Sequence, residues 1–231
     1  MNYKSHIPNT ITILNLLSGS LSVILLFKGY LQAAALLVIL AAALDFLDGF
    51  IAKMLNAKSI IGKELDSLAD VISFGLAPAL FLFMLMEQHN ITETNSIMAL
   101  MPYLALFIAA FSALRLAKFN IDTRQSVSFL GLPTPANAVL IISFTIVASK
   151  MPVLGNNFYL QLAIIPLSCY LLVSEIPMFA IKFSKGFSFS LNKIRYIYIT
   201  IAMALVLLSG WLGVMLAGVI YILMSIILRD R

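Results

Sequence analysis

Seven long apolar stretches, two of them carrying aspartates, leave this chain few ways to fold. Those over residues 11–27, 30–55, 67–86, 97–114, 134–149 and 158–181 each reach, or nearly reach, the length that crosses a hydrocarbon core of about 30 Å. A seventh, from Tyr196 to Leu228, exceeds the roughly 17–25 residues of one crossing and is expected to turn back at Ser209-Gly210 as a helical hairpin. Of the 231 residues, 61% are hydrophobic and 11% charged, which excludes an ordinary soluble domain. The expected fold is all-α, a polytopic transmembrane helical bundle of about eight spans.

The basic residues orient that bundle. With both termini on the cytoplasmic side, only Lys28 and Lys150 of the 15 basic residues fall outside, a bias that fixes topology by the positive-inside rule. The net charge of +5 is spread through short loops beside apolar spans. Anionic lipid head groups and phosphates therefore fit it better than nucleic acid does. The first apolar run lacks a small-residue cleavage site and reads as a retained span. No internal repeat or linker divides the chain, so one membrane domain over 1–231 is expected.

Against this background four carboxylates stand out: Asp45 and Asp48 in DFLDGFIAK, then, eight residues on, Asp66 and Asp70 in GKELDSLAD. One aspartate at the centre of a membrane helix costs roughly 2.5–3.5 kcal/mol, and four cost on the order of 10 kcal/mol. That rivals the roughly 5–15 kcal/mol net stability of a whole domain. At about 100° per residue Asp45, Asp48, Gly49 and Ala52 share one helix face, and Gly62, Asp66, Asp70, Ser73 and Ala77 share another. Two such faces opposed collect four negative charges around one cavity, which two divalent ions would neutralise; carboxylate oxygens favour Mg²⁺ or Mn²⁺. Paired hard metals clamp a pyrophosphate and orient an attacking hydroxyl, which a neighbouring carboxylate deprotonates.

The pattern DxxDGxxA, Lys53, eight residues, GxxxDxxxD resembles the motif of the CDP-alcohol phosphatidyltransferase family, except that the family usually has arginine where this chain has Lys53. Lysine keeps the charge and loses the two-pronged fork. IPNTIT at 7–12, LDSLADVISFGLAPA at 65–79, LRLAKFN at 114–120 and FLGLPTPANA at 129–138 are similar to the serine-using, integral-membrane bacterial members of that family. The resemblance covers roughly 7–182, an expected catalytic six-span core, and leaves 196–228 as an additional hairpin. It implies transfer of a phosphatidyl group from CDP-diacylglycerol to L-serine with release of CMP, a bacterial inner-membrane location with the site facing the cytoplasm, and a homodimer. By position it implies that Asp45, Asp48 and Asp66 bind metal and that Asp70 is both metal ligand and general base. It also implies a donor site of Pro8, Asn9, Thr10, Thr12, Gly49, Ala52, Lys53 and Ser59. Arg115, Lys118 and Asn120 are the expected acceptor-binding set, a guanidinium suiting serine's carboxylate or a donor phosphate.

Each of these residues also has a plainer reading. Pro8, Asn9, Thr10 and Thr12, placed before the first span, serve equally as helix-start residues, and Ser59 as an N-cap. Gly49 and Ala52 serve tight helix packing. Lys53, Arg115 and Lys118 serve as cytoplasmic anchors. Thr134 is expected to cap the fifth span with Pro135 at its first position. Glu175 reads as an interfacial charge about two turns from Lys182, His6 and His89 as solvated, and Cys169 as a small buried hydrophobe. The Asn90-Ile91-Thr92 sequon would matter only in a secretory pathway. An alternative function is a divalent-cation transporter, but no matching carboxylates lie in the outer half of any span. Within the family, glycerol 3-phosphate, inositol phosphate or another alcohol would be the alternative acceptor.

Overall fold

The computed structural model describes residues 5–57, 59–90, 96–121, 129–178 and 189–227. The chain begins with α1 (His6–Phe27) and α2 (Leu31–Met54). It continues through α3 (Ile60–Asp70), a π-helical segment Val71–Leu76, and α4 (Ala77–Asn90). After the short α5 (Ser96–Leu100) and a 3₁₀ turn, Met101–Ala105, comes α6 (Leu106–Ile121). Strand β1 (Phe129–Leu130) leads into α7 (Thr134–Lys150), α8 (Pro152–Gly155) and α9 (Phe158–Val173). Strand β2 (Pro177–Met178), α10 (Phe189–Ser209) and α11 (Trp211–Ile227) complete the order. Among the described residues, four helical stretches, at His6–Phe27, Leu31–Met54, Ile60–His89 and Ile97–Ile121, are long and apolar enough to cross a membrane. Four shorter apolar helices accompany them. The molecule is a helical integral membrane protein.

The first span is unusual in what it buries. Pro8, Thr12, Asn15, Gly19 and Ser22 face inward at i, i+3 and i+4 spacing, while Leu14, Leu17 and Leu21 face out. An inverted pattern of this kind suits a helix with lipid on one side and a polar, closely packed neighbour on the other. α2 answers with Ala34, Ala35, Val38 and Ala41, all buried, and the Ser22 hydroxyl donates to the Ala34 carbonyl at 2.7 Å.

The π-helical segment is the feature that periodicity alone does not reveal. A uniform α-helical wheel places Ser73 and Ala77 in line with Asp70, but the wider turn after Asp70 re-aims the side chains beyond it. Ser73 turns to α1, where its hydroxyl donates to the Asn15 carbonyl at 3.1 Å and its atoms fill the space over Gly19. On the other side Gly75 lets α6 approach, since a Cβ there would lie 3.1 Å from the Ser112 side chain.

Several expectations need correction. Pro8, Asn9, Thr10 and Thr12 lie within the first turns of α1 rather than before it. The sixth run stops being helical at Val173, short of 181, because Ser174 is extended and Pro177 disfavours helix at the residue before it. Pro177–Met178 instead pairs antiparallel with Phe129–Leu130. Gly131, at φ +75°, then lies against the end of α9, where its N–H donates to the Ile176 carbonyl at 2.9 Å and no side chain would fit. Glu175 is thus an exposed residue of an extended link; Lys182 and residues 91–92 of the sequon lie outside the described residues. Thr134 is the first residue of α7 rather than its cap, which is Pro133. His89 is half-buried, 2.9 Å from the Gly155 carbonyl and edge-on to Phe158. The expected turn at Ser209-Gly210 is present, with Gly210 at φ +55°. Cys169 is buried and free.

Candidate active site

Three helices build the site. The C-terminal half of α2 carries Asp45 and Asp48, α3 carries Asp66 and Asp70, and the start of α1 lies across both. Asp45, Asp48 and Asp66 each offer a carboxylate oxygen, all within 4.8 Å of one another. Asp48 is buried and accepts from the Thr12 hydroxyl at 2.5 Å, which fixes one of its oxygens. Asp66 Oδ1 is buried with no hydrogen-bond partner. Like charges this close repel strongly in a poorly solvated setting. An acceptor-only, all-oxygen donor set with an unmet lone pair fits a hard divalent cation.

Asp70 is not part of that trio and, like Asp48, is only 6% exposed. Asn15 Nδ2 lies 3.4 Å from Asp70 Oδ1, while Asn15 Oδ1 is itself buried and unpartnered. Asp70 is also within electrostatic range of Arg115 on α6. Arg115 is only 7% exposed, its Nε makes no hydrogen bond, and its guanidinium carbon lies 6.0 Å from the Phe119 ring centroid. Tyr221, from α11, is its other electrostatic neighbour. The plain anchoring role does not account for so buried a cation.

Beside the carboxylates opens a cavity of about 500 Å³, with Asp48 and Asp66 in its wall. Pro8, Asn9, Thr12, Gly49, Ala52 and Ser59 of the expected donor set also line it. A Cβ added to Gly49 would meet no atom within 4 Å, so this glycine does not serve helix packing; it keeps the cavity floor bare. Ser59 caps α3, its hydroxyl accepting from Gly62 N at 3.0 Å, and the residue also lines the cavity. Thr10 and Lys53 are exposed and are not among the lining residues. Thr10 bonds the His6 carbonyl at 2.8 Å.

The expected acceptor residues are dispersed. Arg115 is buried near Asp70, whereas Lys118 is exposed. Asn120 braces α6 against α3, its Nδ2 donating to Ser67 Oγ at 2.8 Å and its carbonyl accepting from Lys63 Nζ at 2.7 Å. Sequence reasoning missed Asn15 and Lys63. The signal for Asn15 was present, because Thr12, Asn15, Gly19 and Ser22 repeat at helical spacing within an apolar span.

The spacing of the carboxylates, the cavity and the membrane-embedded helices agree with what the family profile finds: the CDP-alcohol phosphatidyltransferase profile matches residues 5–229. The chain belongs to the CDP-alcohol phosphatidyltransferase family. It is similar to the CDP-diacylglycerol–serine O-phosphatidyltransferase of Helicobacter pylori, 38% identical over 172 residues, covering 73% of this chain and 70% of that protein. The Bacillus subtilis protein of the same description is 34% identical over 182 residues, 76% of this chain and 89% of the relative. The archaetidylserine synthase of Methanothermobacter thermautotrophicus is 37% identical over 140 residues, 60% of this chain and 57% of its own length.

Proposed function

We propose that the protein transfers the phosphatidyl group of CDP-diacylglycerol to L-serine, forming phosphatidylserine and releasing CMP. The observation that carries this reading is the meeting of three carboxylates within 4.8 Å, two of which, Asp48 and Asp66, line a cavity beside a bare Gly49. The family supports the CDP-alcohol donor, and the similar proteins named for serine share that acceptor while differing in the lipid.

Asp45, Asp48 and Asp66 would hold two divalent ions, Mg²⁺ or Mn²⁺, with Asp70 a further ligand on the inner side. Such ions, when bound, neutralise the pyrophosphate and the charge left on the departing CMP. Thr12 holds Asp48 in position, and Pro8, Asn9, Gly49, Ala52 and Ser59 border the nucleotide, with Thr10 and Lys53 at the outer margin. Arg115 receives the serine carboxylate, with Lys118 one turn further along α6; Asn120, the third residue of the expected acceptor set, is tied to α3 through Ser67 and Lys63. Asp70 takes the proton of the serine hydroxyl as its oxygen bonds to the phosphatidyl phosphorus; the bond from that phosphorus to the CMP oxygen breaks, and CMP leaves. Asn15 orients Asp70 for this.

In this reading the chain is one domain of eight spans, a six-span core over 7–182 followed by the 196–228 hairpin. Both termini and the site face the cytoplasm of a bacterial inner membrane, and the enzyme is a homodimer. The test is CMP release from CDP-diacylglycerol by purified protein in detergent, with serine, glycerol 3-phosphate and inositol phosphate offered separately. Serine alone should support rapid release. Release driven best by a phosphorylated acceptor would overturn the serine assignment.

A further inference from the structure

The cavity contains a cation to which the acidic motif draws no attention. Lys63 lines it together with Asp66, Asn9 and Gly49, whereas Lys53, the basic residue at a fixed position of the motif, is exposed outside the lining. The placement follows from α3 itself: Lys63 lies four residues after the cap Ser59 and three before Asp66, so cap, cation and carboxylate share one helix face.

Its pairing is the informative part. Lys63 Nζ donates to the Asn120 backbone carbonyl at 2.7 Å, a neutral partner, and no carboxylate among the described residues forms an ion pair with it. The Asn120 carboxamide is in turn tied to Ser67 at 2.8 Å, one turn further along α3. A flexible side chain is thereby held at the cavity rim with one of its three N–H donors used and two free. Holding an ammonium on a neutral carbonyl, beside a carboxylate cluster suited to cations, leaves its charge available for an anion that enters the cavity.

We infer that Lys63 is the protein's own cation for the phosphate groups of the cytidine diphosphate donor, and that Asn120 is its positioning residue. The inference rests on the proposed donor. Arg115, which does not line this cavity, is left to the acceptor. Asn120 then belongs to the donor side through its contact with Lys63, rather than reaching the acceptor itself.

The test is equilibrium binding of cytidine diphosphate and of cytidine to purified wild-type protein, Lys63→Met and Lys63→Arg in detergent at saturating Mg²⁺. Loss of a charge-assisted contact should weaken cytidine diphosphate binding about tenfold in Lys63→Met, with most affinity kept in Lys63→Arg. Cytidine should bind all three alike, which also reports that the fold is intact. Unchanged cytidine diphosphate affinity in Lys63→Met would overturn the inference alone, as would an equal loss for cytidine. Wild-type protein that binds neither ligand would overturn the donor assignment and the inference together.

Discussion

Asp70 differs from its three companions in its surroundings. Asp45, Asp48 and Asp66 converge on a common point, while Asp70 lies outside that group, beside Asn15 and within electrostatic range of the buried Arg115. A carboxylate placed to meet an acceptor whose own carboxylate goes to Arg115 is well placed to take that acceptor's proton. Asp70→Asn keeps the size and part of the oxygen character but cannot accept a proton. Turnover should fall by roughly 10² or more, the usual range for a general base, while donor affinity changes far less. Initial rates of CMP release paired with equilibrium donor binding decide it; near-normal turnover would remove Asp70 from that role. At this scale the aspartates were legible because charge in an apolar run is costly and demands a reason. The bracket of Lys63, Asn120 and Ser67 was not, since it joins positions 57 and 53 residues apart that only helix packing brings together.

Two glycines show how the helices divide their work. Over Gly19 the α1 backbone meets Ser73 of the π-helical segment so closely that a Cβ would collide with it, whereas over Gly49 a Cβ would meet nothing. Gly19→Val should therefore force α1 away from the π segment and destabilise by about 1–3 kcal/mol, the usual cost of overpacking. Gly49→Ala should leave the thermal midpoint in detergent unchanged or slightly raised, alanine being the better helix former. It should nonetheless raise the KM for CDP-diacylglycerol by narrowing the cavity floor. Thermal unfolding together with donor kinetics separates the two effects, and a Gly49→Ala protein with normal donor KM would remove Gly49 from the donor site. Helix positions were readable from hydrophobic runs, and the Ser209-Gly210 turn from the excess length of the last one. The π segment was not, because VISFGL has nothing in composition to distinguish an α-turn from a wider one. The early end of α9 was signalled only by Pro177, within a run that hydropathy alone extends to 181.

For the molecule as a whole, orientation is the claim that charge placement makes most strongly. α2 runs 24 residues, about 36 Å at the α-helical rise, so the Lys28 loop and Met54 stand on opposite faces of a bilayer. In a Cys169→Ala background, Lys28→Cys should react with a membrane-impermeant thiol reagent in intact cells, and Met54→Cys only after permeabilisation. Both reacting from one side would contradict the topology. In the proposed topology the site opens toward the cytoplasm, at the end of the bundle where α1, α2 and α3 meet.

The central claim is that these carboxylates support transfer of a phosphatidyl group to serine with the help of divalent ions. The most direct measurement is incorporation of isotopically labelled serine into lipid by purified protein supplied with CDP-diacylglycerol, before metal stripping, after it, and after Mg²⁺ or Mn²⁺ is restored. The account predicts labelled phosphatidylserine in the first and third samples and none in the second, with Asp66→Asn requiring far more metal to recover. Undiminished incorporation in the verified metal-free sample, or none from serine with metal and donor both present, would contradict it.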